Sequence, residues 1–161
     1  MLFVALILII FFKKFVITNK IVNGNSMNNS FFNNDVLLVE KINKKISRYD
    51  VVIIKSKEIG LKKSLIKRVI ALPYESIQIK DGAVWINDNK LDNDVVSEFI
   101  NEGGIADKKI VLGKDEYFVL GDNRNNSEDS RSEWLGIVNL NQIDGKPIMR
   151  IYPFNKVNFV N

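Results

Sequence analysis

Past Ile21 the apolar residues of this chain come in short runs separated by turn formers, and that rhythm constrains the fold more than any other feature. Val36-Leu37-Leu38-Val39, Val51-Val52-Ile53-Ile54, Leu65 to Leu72, Glu116 to Leu120 and Ile148 to Tyr152 are each too short for a stable helix and rich in β-branched residues. Ile77-Gln78-Ile79 and Val84-Trp85-Ile86 alternate about Asp81-Gly82, the signature of a hairpin with a tight turn. No 3.6-residue period appears beyond the N-terminus. The expectation is a mainly β domain, with the polar, Gly103-Gly104-containing stretch 92–109 as a surface excursion.

Residues Met1 to Phe12 are apolar without interruption, and Phe15-Val16-Ile17 follow Lys13-Lys14. Crossing a bilayer takes about 20 residues, and this stretch approaches that length if the two lysines reach the interface. A cleavable leader fits poorly, because no basic residue precedes the run and no small-x-small site follows it. The organisation expected is a membrane anchor over residues 1–18 and one β-rich domain over 19–161. Lys13, Lys14 and Lys20 lie on the domain side, which by itself argues for a cytoplasmic domain.

The chain contains neither histidine nor cysteine. Ser-His-Asp and Cys-His chemistry, disulfides, and zinc sites built on His or Cys are therefore excluded. Any hydrolytic base must be Lys, Asp, Glu or Tyr. The net charge of +4 is modest and its cations are interspersed with acids, which argues against a nucleic-acid partner and is compatible with a lipid surface.

Three places carry candidate chemistry. Gly121 to Arg131 holds no apolar side chain yet directly follows the run Tyr117 to Leu120. It is either a solvated loop or a hydrogen-bonded site loop. Ser26 sits in Val22-Asn23-Gly24-Asn25-Ser26-Met27, where a plain turn is the simpler account. Lys67 lies in Leu65-Ile66-Lys67-Arg68-Val69-Ile70-Ala71-Leu72-Pro73, so on a strand either Lys67 or Arg68 must share a covered apolar face. An edge-strand lysine that blunts aggregation explains it equally well. A buried lysine offers more: burial lowers its pKa, and a neutral amine can take the proton of a serine hydroxyl.

Ser26-Met27, Tyr49-Asp50-Val51-Val52, Lys67 to Pro73 and Gly121 to Arg131, in this order behind an apolar N-terminus, resemble the successive motifs of bacterial type I signal peptidases. Trp134-Leu135-Gly136 and Ile151-Tyr152-Pro153-Phe154 resemble the closing segment of that family. The resemblance implies a membrane-anchored serine endopeptidase with a β-rich catalytic domain on the outer face of the cytoplasmic membrane. Its substrates would be pre-protein signal peptides with small residues three before and one before the scissile bond. No metal or other cofactor is implied, and membrane lipid and the secretion machinery would be its further partners. Four motifs in register outweigh the small lysine bias in setting the orientation.

By position, the resemblance makes Ser26 the nucleophile, Lys67 the general base, and Ser127 the serine that orients the lysine. Asp129 and Arg131 become a structural ion pair bracing the site. The oxyanion hole uses the backbone N–H of Ser26, and Gly24 stands where some members carry a second, hydroxyl donor. Met27, Leu65 and Ile66 are the candidates for the substrate pocket. Asn28-Asn29-Ser30-Phe31 departs from the x-Pro-Thr-Leu that usually follows Ser-Met, as does Tyr74-Glu75 from Gly-Asp. Two other accounts compete: a self-cleaving repressor, which lacks its DNA-binding segment here, and a catalytically silent peptide-binding membrane module.

Overall fold

A computed structural model describes residues 17–41, 45–55, 64–92 and 94–160. Residues 1–16, the bulk of the expected anchor, lie outside it. Among the described residues no helix is long and apolar enough to cross a membrane. Ile17 and Thr18, which the sequence reading gave to the anchor, instead open the first strand, β1 (Ile17–Ile21).

The domain is mainly β, as the short apolar runs require. Helical structure among the described residues is confined to 3-10 turns at Gly104–Asp107, Leu140–Gln142 and Phe154–Lys156. The strands are β2 (Val36–Glu40), β3 (Val51–Lys55), β4 (Ser64–Ala71), β5 (Ser76–Lys80), β6 (Ala83–Ile86), β7 (Asn89–Lys90), β8 (Ile110–Val111), β9 (Glu116–Leu120), β10 (Val138–Asn139), β11 (Ile143–Tyr152) and β12 (Asn158–Phe159). The larger sheet runs β1-β2-β11-β3-β4-β9-β10, with β12 also paired to β11, and a smaller one runs β7-β6-β5-β8.

The apolar run of β3 is continuous because both its faces are covered. Val51 and Ile53 enter a cluster with Val22, Met27, Phe31, Leu37, Val39 and Ile66. Val52 and Ile54 enter another with Val69, Tyr117, Val119, Leu135, Val138 and Ile143. A third cluster joins the end of β4 to the smaller sheet through Ile70, Ala71, Ile77, Ile79, Val84, Ile86 and Phe118. The β5–β6 hairpin turns at Asp81 (φ 52°) and Gly82 (φ 69°), both in the left-handed region that a twisted two-residue turn needs.

β11 begins five residues earlier than the Ile148 suggested by the sequence. Asp144-Gly145-Lys146-Pro147 reads as a turn, yet the strand passes through it by changing partners. Ile143 and Gly145 pair with β3, and from Lys146 the strand pairs with β2. A Cβ at Gly145 would lie 2.3 Å from the carbonyl oxygen of Glu40, so only glycine allows this crossing. Pro147 sits beside a register shift, where its missing N–H is tolerated.

Candidate active site

β4 lies between β3 and β9 in the sheet, and both of its cations are buried: Lys67 is 2% exposed and Arg68 is 5% exposed. Alternation along the strand sends them to opposite faces, and each meets a polar partner brought from another element.

Arg68 is held as a bidentate pair by Asp122, Nε to Oδ1 at 2.7 Å and Nη2 to Oδ2 at 2.6 Å. Its Nη1 donates to the carbonyl of Tyr49 at 2.8 Å. Asp122 is fully buried, so this pair rivets the start of the polar loop to β4.

Among the described residues Lys67 has no carboxylate partner at ion-pair distance. Its Nζ lies 2.6 Å from Oγ of Ser26. Burial pushes its pKa down from the ordinary 10.5 to about 8, against the opposing pull of Asp129, Glu128 and Asp122, while Arg131 lowers it further. A readily deprotonated amine thus stands at hydrogen-bond distance from a half-buried hydroxyl.

The turn that presents Ser26 is fixed from both ends by apolar anchors, Val22 and Phe31, and at its centre by Met27, which is 1% exposed. Within it the N–H of Asn28 donates to the carbonyl of Asn25 (3.0 Å) and that of Phe31 to the carbonyl of Met27 (2.8 Å). Gly24, at φ +88°, donates its N–H to Oδ1 of Asn33 at 2.9 Å. Asn123 clamps the turn to the polar loop, its N–H on the carbonyl of Ser26 (3.0 Å) and its Nδ2 on that of Asn25 (3.2 Å).

Gly121 makes that approach possible. A Cβ there would stand 2.5 Å from the carbonyl oxygen of Ser26 and 2.1 Å from Oγ of Ser127. Ser127 is thereby brought against the site on the same side of Gly121 as the carbonyl of Ser26, but its hydroxyl makes no hydrogen bond to Lys67. Its Oγ is enclosed without a partner, and the amine is engaged by Ser26.

Asp129 and Arg131 do pair. Arg131 Nε meets Asp129 Oδ1 at 2.8 Å and Nη2 meets Oδ2 at 2.8 Å, with Asp129 fully buried. Asp129 Oδ2 also accepts the N–H of Gly121 at 3.0 Å, which holds the glycine where the approach needs it.

The site thus joins a serine to a lysine whose pKa is depressed by burial, both supplied by the motifs that carry the resemblance. The model of the family described as signal peptidase, peptidase S26, matches residues 1–152. This chain belongs to that family. It is 31% identical to signal peptidase I P of Bacillus subtilis subsp. natto, over 96% of this chain and 87% of that protein. It is 32% identical to signal peptidase I U of Bacillus subtilis (strain 168), over 92% of this chain and 80% of that one. A solved signal peptidase I from Enterococcus faecalis V583 aligns with TM-score 0.47 and 25% identity, over 63% of this chain and 96% of the other.

The three residues that the sequence offers for a substrate pocket in this S26 peptidase pack into two clusters. Met27 and Ile66 do share one cluster, but both are packed into the core. Leu65 packs with the cluster on the opposite face of β4. Successive strand residues point to opposite faces, so Leu65 and Ile66 lie on different sides of β4.

One further arginine contact lies beyond what the sequence shows. Arg124, 1% exposed, pairs with Asp94 through Nη2 to Oδ1 at 2.7 Å and a second bond to Oδ2, and its N–H donates to Glu98 at 2.8 Å. The stretch 92–109 is therefore less a free excursion than a strap on the polar loop. Arg68 was flagged by its place in the β4 alternation. Asp94 gave no such signal, because it lies 30 residues from its partner.

Asn29 explains the absence of the usual proline after Ser-Met. Its φ is +84°, which a proline ring locked near −65° cannot adopt. Asn29→Pro is expected to lower stability by about 3 kcal/mol, whereas Asn29→Gly stays within about 1 kcal/mol of wild type. Urea denaturation of the purified domain measures both.

Proposed function

We propose that this chain is a membrane-anchored serine endopeptidase that removes N-terminal signal peptides from exported pre-proteins. Ser26 attacks the scissile carbonyl, and Lys67 takes its proton and returns it to the leaving amine. Water activated by Lys67 then hydrolyses the acyl-enzyme. The observation that carries this reading is the 2.6 Å separation of Lys67 Nζ and Ser26 Oγ, with the lysine almost wholly excluded from water. An amine at pKa about 8 is partly neutral near pH 7, as a general base must be.

The backbone N–H of Ser26 serves as oxyanion donor. Gly24 brings no hydroxyl, so a second donor must come from elsewhere in the complex. Ser127 orients the amine during turnover, when Ser26 Oγ is acylated and no longer engages it. Residues 1–16 anchor the domain to the cytoplasmic membrane, with the catalytic part on the extracytoplasmic side beside lipid and the export machinery. Small side chains are selected three before and one before the cleaved bond.

Cleavage of a purified pre-protein reporter in detergent tests the reading. Wild type releases the signal peptide at a site flanked upstream by small residues, and Ser26→Ala does not. A wild type unable to cut such a reporter would leave a silent peptide-binding module as the better account.

A further inference from the structure

A cleft of about 310 Å3 opens beside Ser127, lined on the loop side by Glu128 and Arg131 and across from them by Asn101, Glu102 and Gly104 of the strap. Arg124 also borders it. Both arginines are already engaged, Arg131 with the buried Asp129 and Arg124 with Asp94. Both glutamates are exposed, and among the described residues neither carboxylate enters an ion pair. The charge that this cleft offers to an incoming group is therefore negative.

The cleft adjoins the reacting atoms. A Cβ at Gly121 would stand 2.5 Å from the carbonyl oxygen of Ser26 and 2.1 Å from Oγ of Ser127, so a single side chain, that of Ser127, lies between the nucleophile's turn and the cleft. Glu128 is the next residue, and its carboxylate is close enough to Lys67 to oppose the effect of burial on the amine. In the peptidase reading Lys67 returns its proton to the leaving amine, while the acyl group stays on Ser26 Oγ. The part of the substrate beside Lys67 Nζ and Ser127 is then the segment that follows the scissile bond.

Electrostatics then choose the side chain. A lysine or arginine in that segment meets Glu128 and Glu102 without disturbing an existing pair. An acidic residue meets two carboxylates, and finds a cation only by drawing Arg131 from Asp129 or Arg124 from Asp94, which leaves a buried partner unmatched. We infer that Glu128 is a specificity-determining residue on the leaving-group side, where the cleft it shares with Glu102 receives a basic side chain from the first residues after the scissile bond. The inference rests on the peptidase reading above. Because the Glu128 side chain is exposed and outside the pairs that brace the loop, it can be exchanged while they stay intact.

Peptide substrates with one upstream sequence and Lys, Ala or Glu at each of the first four downstream positions in turn test it, beside a control set with the same exchanges far downstream. Each ratio is taken within one enzyme, so the protonation of Lys67 cancels. Wild type is expected to favour Lys over Glu by about tenfold in kcat/KM at one or more of these positions, an exposed attraction exchanged for a repulsion of similar size. Salt at ~1 M should shrink that ratio. Glu128→Gln should bring it within about threefold of one, the remainder being due to Glu102. Glu128→Lys should invert it, and Glu128→Asp should keep the preference for Lys. A wild-type ratio near one at all these positions, an unchanged ratio in Glu128→Gln, or an equal ratio in the far-downstream set overturns the inference. Wild type that cleaves no member of either set overturns the peptidase reading itself.

Discussion

Lys67→Ala is expected to cost at least about a thousandfold in kcat/KM, since it removes both the proton acceptor and the group that orients the nucleophile. With Lys67 as the proposed base, the active form is the neutral amine, so activity should be lost as pH falls through the lysine's pKa. With that value at about 8, log kcat/KM should rise with unit slope below pH 8 and level off above it. The same pKa has a consequence for stability. The unfolded chain keeps its lysine charged up to about 10.5, so between the two values it binds more protons than the folded chain, and stability rises with pH. Below pH 8 the buried charge costs the fold about 3 kcal/mol. Lys67→Met should therefore be inactive yet more stable than wild type at pH 7, with an advantage that fades as pH approaches 10.5. Urea midpoints at pH 7 and pH 10, set beside the pH–rate profile, check both arms. A Lys67→Ala variant with full activity would sink the assignment of Lys67 as base. A wild-type profile flat from pH 6 to 9 would mean that the titrating group is another.

How far the sequence leads is decided by how local each determinant is. β3, β4 and β9 are legible because each is an apolar run buried by neighbours on both faces, and β2 because its apolar run buries Leu37 and Val39 on one. The β5–β6 hairpin is legible because Asp81-Gly82 suits a left-handed turn. β1 is not legible: its first residues read as the end of the apolar segment, and Thr18-Asn19-Lys20 shows little apolar character and gains its structure by pairing with β2. The first half of β11 is hidden by Gly145 and Pro147, whose purpose appears only when the strand is seen to change partners. The two-residue strands β7, β8, β10 and β12 are below any periodic signal.

The site divides in the same way. Excluding histidine and cysteine narrowed the base to a lysine, a carboxylate or a tyrosine, and the motifs named Ser26 and Lys67. Alternation along β4 required at least one buried cation, and the fold buries both Lys67 and Arg68. The contacts that sequence could not supply join residues far apart: Arg68 with Asp122, Arg124 with Asp94, Lys20 with Ser64. Each depends on sheet closure rather than on spacing, and residue types alone do not choose between partners.

Asp129→Ala is expected to lower stability by about 3–5 kcal/mol, the range for removing one member of a buried ion pair. The carboxylate is fully buried and answers four donors at once: both arms of the Arg131 guanidinium, the backbone N–H of Arg131 and the N–H of Gly121. Its loss leaves the guanidinium, only 10% exposed, with the carbonyls of Glu102, Arg124 and Ser127 as its acceptors. It also frees the Gly121 N–H at the point where the loop touches the nucleophile's carbonyl. Activity should therefore fall with stability, because the loop that positions Ser26 through Asn123 is no longer braced. Ser127→Ala supplies the contrast. Its hydroxyl has no hydrogen-bond partner, so removing it should leave the urea midpoint within about 0.5 kcal/mol of wild type. If the hydroxyl orients the amine during turnover, kcat should still fall, by about tenfold or more. Equal stability losses in the two variants would dissolve the distinction between brace and positioning group. Unchanged kinetics in Ser127→Ala would reduce Ser127 to packing against Gly121, leaving the pair of Asp129 and Arg131 as the reason so polar a loop can lie against a β core.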